Sequence, residues 1–259
     1  MGVVNVTPDS FSDGGRFLDP VAAIDHAQRL IAEGADLLDI GAESSRPGAT
    51  AVVSADEELR RLLPVLRGLR DAAVPLSVDT IKPEVMRAVL AEGASMINDI
   101  NALRAPGALA ALAASDAAVC LMHMQGTPGT MQQHPSYADV VTEVKAFLSE
   151  RIDAARAAGI SPERISVDPG FGFGKTLAHN LELLRRLREF AGLGMPVLAG
   201  WSRKSSLGKI TGKPEGDRLA ASIAAALIAA QNGAAILRVH DVAATRDALL
   251  ILEAVEKTQ

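Results

Sequence analysis

Eight short, nearly wholly apolar runs alternate along this chain with longer, amphipathic, alanine-rich ones, and that rhythm leaves few folds open. A strand buried on both faces reads as a continuous apolar run, and apolar residues three and four apart read as helix. The alternation therefore predicts repeated βα units feeding one parallel sheet. The strand readings are Gly2–Val6, Leu37–Ile40, Leu76–Asp79, Met96–Asp99, Ala118–Met122, Ile165–Asp168, Val197–Ala199 and Ala235–Arg238. Helices are expected near Val21–Glu33, Asp56–Arg70, Pro83–Glu92, Pro106–Ala114, Ala138–Ala158, His179–Phe190, Asp217–Asn232 and Ala243–Val255. Glu33-Gly34-Ala35, Glu92-Gly93-Ala94 and Asn232-Gly233-Ala234 each stand between a helix and the next strand, where glycine suits a left-handed cap. A doubly wound open sheet would need a glycine-rich dinucleotide fingerprint after an early strand, and none follows. The pattern favours a closed (β/α)8 TIM barrel, and 259 residues suit one domain spanning 1–259.

Composition narrows the function. With 48% hydrophobic and 22% charged residues the chain has ordinary globular usage. A net charge of -5 offers no basic surface for nucleic acid or anionic lipid, so an anionic ligand requires a local basic cluster. The single cysteine, Cys120, lies in the apolar run Ala117–Met122 and is expected to be a buried core thiol in a reducing compartment. No basic stretch followed by an apolar one opens the chain, and no run reaches the roughly 18–20 apolar residues that a bilayer needs. The expectation is a soluble, cytoplasmic protein.

Polar residues stand at the end of nearly every predicted strand: Asn5, Asp39, Asp79, Asn98-Asp99, His123, Asp168, Ser202-Arg203-Lys204, and Arg238 with His240. In a barrel these converge on one mouth. A lone carboxylate closing a strand is often a helix cap or a loop hydrogen-bonder, and capping is the preferred reading for Asp99. Asp39 stays undecided between the two. Asp79 and Asp168, each carried out of a buried strand, are acceptors. With Asn98 and the cation of Lys204 they suit a planar heterocycle with amide-like and amino edges, a pterin or a purine. Arg46, Arg203, Lys204, Arg238 and His240 supply the local anion site, and the spacing of Arg238 and His240 puts both on one face with Val239 on the other. A strand-end arginine pairing with a helix acid is the competing reading for Arg238. The five histidines show no zinc-ligand spacing. Magnesium needs few protein oxygens beside substrate phosphate, and Asn5 can supply one. Gly170-Phe-Gly-Phe-Gly-Lys175 resembles a phosphate-cradling run but lacks the Gly-Lys-Ser/Thr ending of a P-loop.

Taken in order, Met1-Gly-Val-Val-Asn-Val-Thr-Pro-Asp-Ser-Phe-Ser-Asp-Gly-Gly15, Glu43-Ser-Ser-Arg-Pro-Gly-Ala49, Ser77-Val-Asp-Thr80, Ile97-Asn-Asp-Ile100, Asp168–Lys175, Gly200-Trp-Ser-Arg-Lys-Ser205 and Arg238-Val-His-Asp-Val242 strongly resemble the dihydropteroate synthase family over essentially the whole chain. The resemblance implies a barrel transferase of folate biosynthesis, the target of sulfonamides. Such an enzyme joins 4-aminobenzoate to a dihydropterin pyrophosphate with Mg2+ and releases pyrophosphate. It implies that Asp79, Asn98, Asp168 and Lys204 hold the pterin, with Met122, Gly172 and Phe173 lining its slot. By the same likeness Asn5 binds the metal. Asp13, Ser45, Arg46, Arg238 and His240 join Asn5 around the pyrophosphate, and Pro47, Arg203, Lys204 and Ser205 form the aminobenzoate pocket. Asp79, Lys204, Arg238 and His240 are the implied catalytic residues, and a homodimer through outer helices is the implied assembly.

Two departures stand out. Family members usually carry a further N-terminal strand ahead of the segment matching Met1-Gly2, so a less well covered barrel floor is expected. Gly41-Ala-Glu-Ser-Ser-Arg46 stands where the family favours Gly-Gly-Glu-Ser-Thr-Arg, keeping a hydroxyl at 45 without its methyl. Two rivals follow: a catalytically inactive pterin-binding paralogue, and a pterin barrel moving a methyl group from a folate to a corrinoid. The second needs neither Asn5–Ser10 nor Ser45-Arg46-Pro47.

Overall fold

The apolar runs form strands in chain order, each returned by helix. The computed structural model describes residues 1–7, 19–43 and 53–257. Its elements begin β1 (Gly2–Asn5), α1 (Pro20–Ala32), β2 (Leu38–Gly41), α2 (Ala55–Gly68), β3 (Leu76–Asp79), α3 (Pro83–Ala91), β4 (Met96–Asp99), α4 (Ala108–Ala113) and β5 (Ala118–Met122). They continue through α5 (Val140–Ala157), β6 (Ile165–Asp168), α6 (Leu177–Arg185), β7 (Leu198–Ala199), α7 (Ser205–Thr211), α8 (Leu219–Gln231), β8 (Ile236–Leu237) and α9 (Val242–Glu256). Strands β1 to β6 pair as parallel neighbours in sequence order, and β7 pairs with β8.

The ring closes at two thin seams. Val239 N–H donates to Met1 O at 2.9 Å and Val3 N–H to Val239 O at 3.0 Å, joining the chain after β8 to β1. Between β6 and β7 a single bridge pairs Val167 with Val197, and Val167 N–H donates to Pro196 O at 2.9 Å. Pro196 has no N–H to return, which limits the ladder at this seam to a bridge. Together these make the expected (β/α)8 barrel.

Local chemistry sets the element ends. Asp19 accepts from Val21 N–H ahead of Pro20, and Ser54 accepts from Glu57 N–H, so both helices start on side-chain caps. Gly34, Gly93 and Gly233 have φ of +93°, +98° and +94°. After each one the next residue's N–H reaches back five positions, as in Ala35 to Leu30 O, so the predicted left-handed caps are Schellman turns. Gly159 makes a fourth, with Ile160 N–H on Ala155 O.

The helix reading needs two changes. The stretch expected as one helix over His179–Phe190 starts earlier, at Leu177, where Thr176 and His179 form a capping box. It stops at Arg185, and a 3-10 stretch covers Leu187–Leu193. Helix α7, short and carrying Gly208, was not expected at all. An added Cβ at Gly208 would lie 2.4 Å from the Arg218 guanidinium.

The main apolar core lies between the strand ring and the helices. A second cluster, Met96, Cys120 and Leu198 with Met1, Leu37, Ala118 and Ile236 packed against it, comes from strand positions that alternate away from that core. No helix among the described residues is long and apolar enough to cross a membrane. Phe190 is fully buried in the main core and Val21 is 61% exposed on α1. Phe190→Ala is therefore expected to lower the unfolding free energy by about 3–5 kcal/mol and Val21→Ala to change it by less than about 0.5 kcal/mol, as denaturant titration will show.

Candidate functional site

Side chains alternate across a strand, so one parity on every strand faces the barrel axis. That parity carries Met1 and Asn5 on β1 and its flank, Asp39 and Gly41 on β2, Ser77 and Asp79 on β3, and Met96 and Asn98 on β4. It continues with Cys120 and Met122 on β5, Ser166 and Asp168 on β6, and Arg238 and His240 at and beyond β8. An apolar layer at the strand starts thus gives way to polar layers toward the strand ends, where barrel sites lie.

The first polar layer is a hydrogen-bonded cluster around Asp39, which is fully buried. Ser77 Oγ donates to its Oδ1 at 2.7 Å, Asn98 Nδ2 to its Oδ2 at 3.0 Å, and Arg238 Nε to its Oδ2 at 2.6 Å. Arg238 also reaches Asp79 Oδ2 through Nη2, but at 3.4 Å. Arg238 therefore spends its charge mainly on Asp39. Burial, followed by repulsion from Asp39, pushes Asp79 up to about 7. Asp168 is raised by burial as well, against the 2.7 Å hydrogen bond that its Oδ1 accepts from Gly170 N–H. Asp99 proves to be a turn cap, accepting from Asn101 N–H and Leu103 N–H at 2.7 Å each. It does not join the cluster.

The glycine run after β6 closes one side of this space. Gly170, Gly172 and Gly174 have φ of +73°, +83° and +64°. An added Cβ at Gly170 would lie 1.9 Å from His123 O, so the run is a sequence of left-handed turns pressed on the β5 loop. Its lysine points inward. Lys175 is 3% exposed, donates to Phe173 O at 3.0 Å, and lies 2.9 Å from His123 Nδ1. Burial lowers it to about 7, and His123, buried beside it, is held neutral. The resemblance to a phosphate cradle thus has another cause, and Lys175, unassigned by sequence reasoning, is the tether that the motif's final position signalled.

Lys204, half-buried, donates to Phe171 O and stands 4.4 Å over the Phe173 ring. Burial lowers it to about 8, with Asp168 opposing the shift. Phe173 packs with Met122, Met124, Met131, Ile100 and Ile81, an aromatic and methionine wall that meets Asp168 where Met122 pairs with it in register. Arg203 is a non-glycine residue at φ +58°, held by its N–H on Ser222 Oγ and by its guanidinium on Asp241 at 2.6 Å. Its pairing with Asp241 is a contact the sequence reading did not foresee. Ser205 is exposed at the start of α7. His240 Nδ1 lies 2.9 Å from Ser202 Oγ.

Asp13, Ser45, Arg46 and Pro47 lie outside the described residues. The segment 44–52 is nevertheless bracketed: Glu43 accepts from Val53 N–H at 3.3 Å and pairs with Lys82, which also holds the buried Glu58 at 2.6 Å. Gly41 leaves space beside Asn5 and Asp79. An added Cβ there would lie 3.9 Å from Asn5 Oδ1 and 3.5 Å from Asp79 Cβ. No group of three or more His, Cys, Asp or Glu that could hold a metal occurs among the described residues. The oxygen of Asn5 therefore fits only an ion that takes most of its ligands from substrate and water, as Mg2+ does.

Residues 1–240 match the family model described as pterin binding enzyme. The chain is 50% identical over 255 residues to the dihydropteroate synthase of Escherichia coli K12, covering 98% of this chain and 90% of that protein. It superposes on the Yersinia pestis dihydropteroate synthase solved with a sulfonamide drug at TM-score 0.95 and 49% identity, over 99% of this chain and 93% of that one. The Xanthomonas albilineans dihydropteroate synthase in complex with 7,8-dihydropteroate matches at TM-score 0.90 and 55% identity, over 98% and 92% of the two chains.

The raised Asp79 carries a sign that can be measured. Between its unfolded value near 4 and its folded value the native state binds more protons than the unfolded one, so this carboxyl costs stability as pH rises through that window. The stability of Asp79→Asn relative to wild type should therefore improve between about pH 4 and about pH 8. Urea titrations across that range test this, and an unchanged difference would contradict it.

Proposed function

The chain belongs to the dihydropteroate synthase family of pterin-binding enzymes, transferases of folate biosynthesis, and from that premise we propose how its own side chains divide the work. The reaction joins 4-aminobenzoate to the methylene carbon of a dihydropterin pyrophosphate and gives 7,8-dihydropteroate and pyrophosphate. Asp79, Asn98, Asp168 and Lys204 read the polar edges of the pterin, and Met122, Gly172 and Phe173 line its slot. Support comes from the apolar cluster that Phe173 and Met122 share, with Met122 beside Asp168 in register. Asn5, Arg238 and His240 form the pyrophosphate side, joined by Asp13, Ser45 and Arg46 from the two loops. Pro47, Arg203, Lys204 and Ser205 receive the aminobenzoate.

The nucleophile needs no activated side chain, because an arylamine is neutral and nucleophilic at neutral pH. The barrier lies in parting the methylene carbon from pyrophosphate. Asp79 favours the positive charge that then develops on the pterin, and Arg238 and His240 favour the departing anion. Asn5 would hold Mg2+, which would supply charge neutralisation to the leaving group. A cationic intermediate would be captured by water, so the reaction needs water kept from the mouth. The observation that carries this reading is the division inside the barrel. Register sets Asn5, Gly41, Asp79 and Asn98 side by side on consecutive strands, so Gly41 separates the Asn5 oxygen from Asp79 and Asn98, and Arg238 reaches in to Asp79 at 3.4 Å.

The whole chain acts as one cytoplasmic domain, with Mg2+ as cofactor, and pairs as a homodimer through its outer helices. Ile210 on α7, Leu219 and Ile228 on α8, and Leu250, Ile251 and Val255 on α9 are 45–68% exposed on consecutive packed helices.

Purified protein given dihydropterin pyrophosphate, 4-aminobenzoate and Mg2+ is expected to form dihydropteroate. Pterin binding without product would instead favour an inactive paralogue. In the same assay Asp79→Asn should lower kcat about 10²–10³-fold with a much smaller change in pterin affinity. An equal loss in both would exclude charge stabilisation. Ile251→Asp should shift the protein toward monomer in sedimentation velocity.

A further inference from the structure

We propose that Asp39 is the positioning residue that couples the two halves of the site, setting both the amide orientation of Asn98 and the placement of the Arg238 guanidinium. The proposal rests on the reading above, in which Asn98 belongs to the pterin side and Arg238 to the pyrophosphate side. Asp39 is fully buried and takes three donors, from Ser77, Asn98 and Arg238, all within 3.0 Å. A carboxylate offers only acceptors, so Asn98 must turn its Nδ2 toward Asp39 and its Oδ1 toward the mouth. The pterin edge that meets Asn98 Oδ1 is thereby required to donate. Without Asp39, the amide could present either end.

The same oxygen that accepts from Asn98, Oδ2, accepts from Arg238 Nε at 2.6 Å; Nη2, on the same edge of the guanidinium, reaches Asp79 at 3.4 Å, and among the described residues Nη1 has no hydrogen-bond partner. One atom therefore fixes a neutral reader and a cationic reader against each other. A bidentate fork held at one edge presents its remaining N–H groups in a fixed direction, which suits it to a pyrophosphate oxygen. Ser77 supplies the third donor, holding the carboxylate plane so that Oδ2 stays on the shared side.

The test measures two affinities separately in the full-length protein: 6-hydroxymethylpterin alone, and inorganic pyrophosphate with Mg2+. Asn98→Ala and Arg238→Gln are controls, expected to weaken mainly the pterin and mainly the pyrophosphate respectively. If they do not, the assignment of the half-sites fails. With the controls behaving so, Asp39→Asn is expected to weaken both probes, each about tenfold. It should also make the side-chain amide protons of Asn98 exchange faster by NMR, a change that a loss of packing alone would not confine to that group. A variant that weakens only one probe, or neither, overturns the coupling. Should Asp39→Asn fail to fold, Ser77→Ala, which removes one donor, is expected to weaken both probes about threefold, and unchanged affinity for either would overturn the proposal.

Discussion

Arg238 enters the barrel from the end of β8 and donates through Nε to Asp39 at 2.6 Å, while Nη2 on the same edge reaches Asp79 at 3.4 Å. Asp39 is fully buried, and leaving a buried carboxylate unpaired is expensive, so this ion pair constrains what surrounds it. Ser77 and Asn98 complete the donor set of Asp39. Asp79, with only a long contact to the guanidinium, stays under-compensated and is raised. A carboxyl that gains little from its protein neighbours is the one able to gain most from a cationic ligand.

The opposite wall is built from backbone rather than charge. Three left-handed glycines let the segment after β6 lie directly on the β5 loop, and Lys175 fastens it from beneath through Phe173 O and His123. Phe171 and Trp201 pack at 5.1 Å between this segment and the strand-seven flank that carries Lys204. Lys204 then bridges the two by donating to Phe171 O. The pterin wall and the lysine facing it are thus one packed unit, which explains why Gly172, where a Cβ would meet the Lys204 side chain at 3.3 Å, admits no larger residue without displacement.

Much of this was legible in sequence because parity is. Strand residues two apart share a face, so the spacing of Arg238 and His240 put both on one side, and the strand-end positions of Asp79 and Asp168 put them at the mouth. Asp99 shows the limit of that reasoning in reverse. It stands beside Asn98 on the opposite parity, and it caps the turn after β4, as a carboxylate closing a strand often does. The competing reading for Arg238, a pairing with an acid, holds in geometry alongside its place on the mouth, although the acids come from strands. Asp39 stayed undecided because its three partners come from three other strands, and sequence gives no register between strands. Helix α7 was missed because seven residues with an internal glycine carry too little periodicity, and its glycine answers to the Arg218 side chain that packs over it. The early start of the sixth helix depended on a capping box whose second member is a histidine, an unusual choice for that position.

The central claim is that the Asp39 and Arg238 pair is a single energetic unit inside the barrel. A double-mutant cycle on unfolding free energy, using Asp39→Asn, Arg238→Gln and the double variant, tests it most directly. The account predicts that the double variant is less destabilised than the sum of the single variants, by about 1–3 kcal/mol, because each single change strands a buried partner. Additive effects within about 0.5 kcal/mol would contradict it.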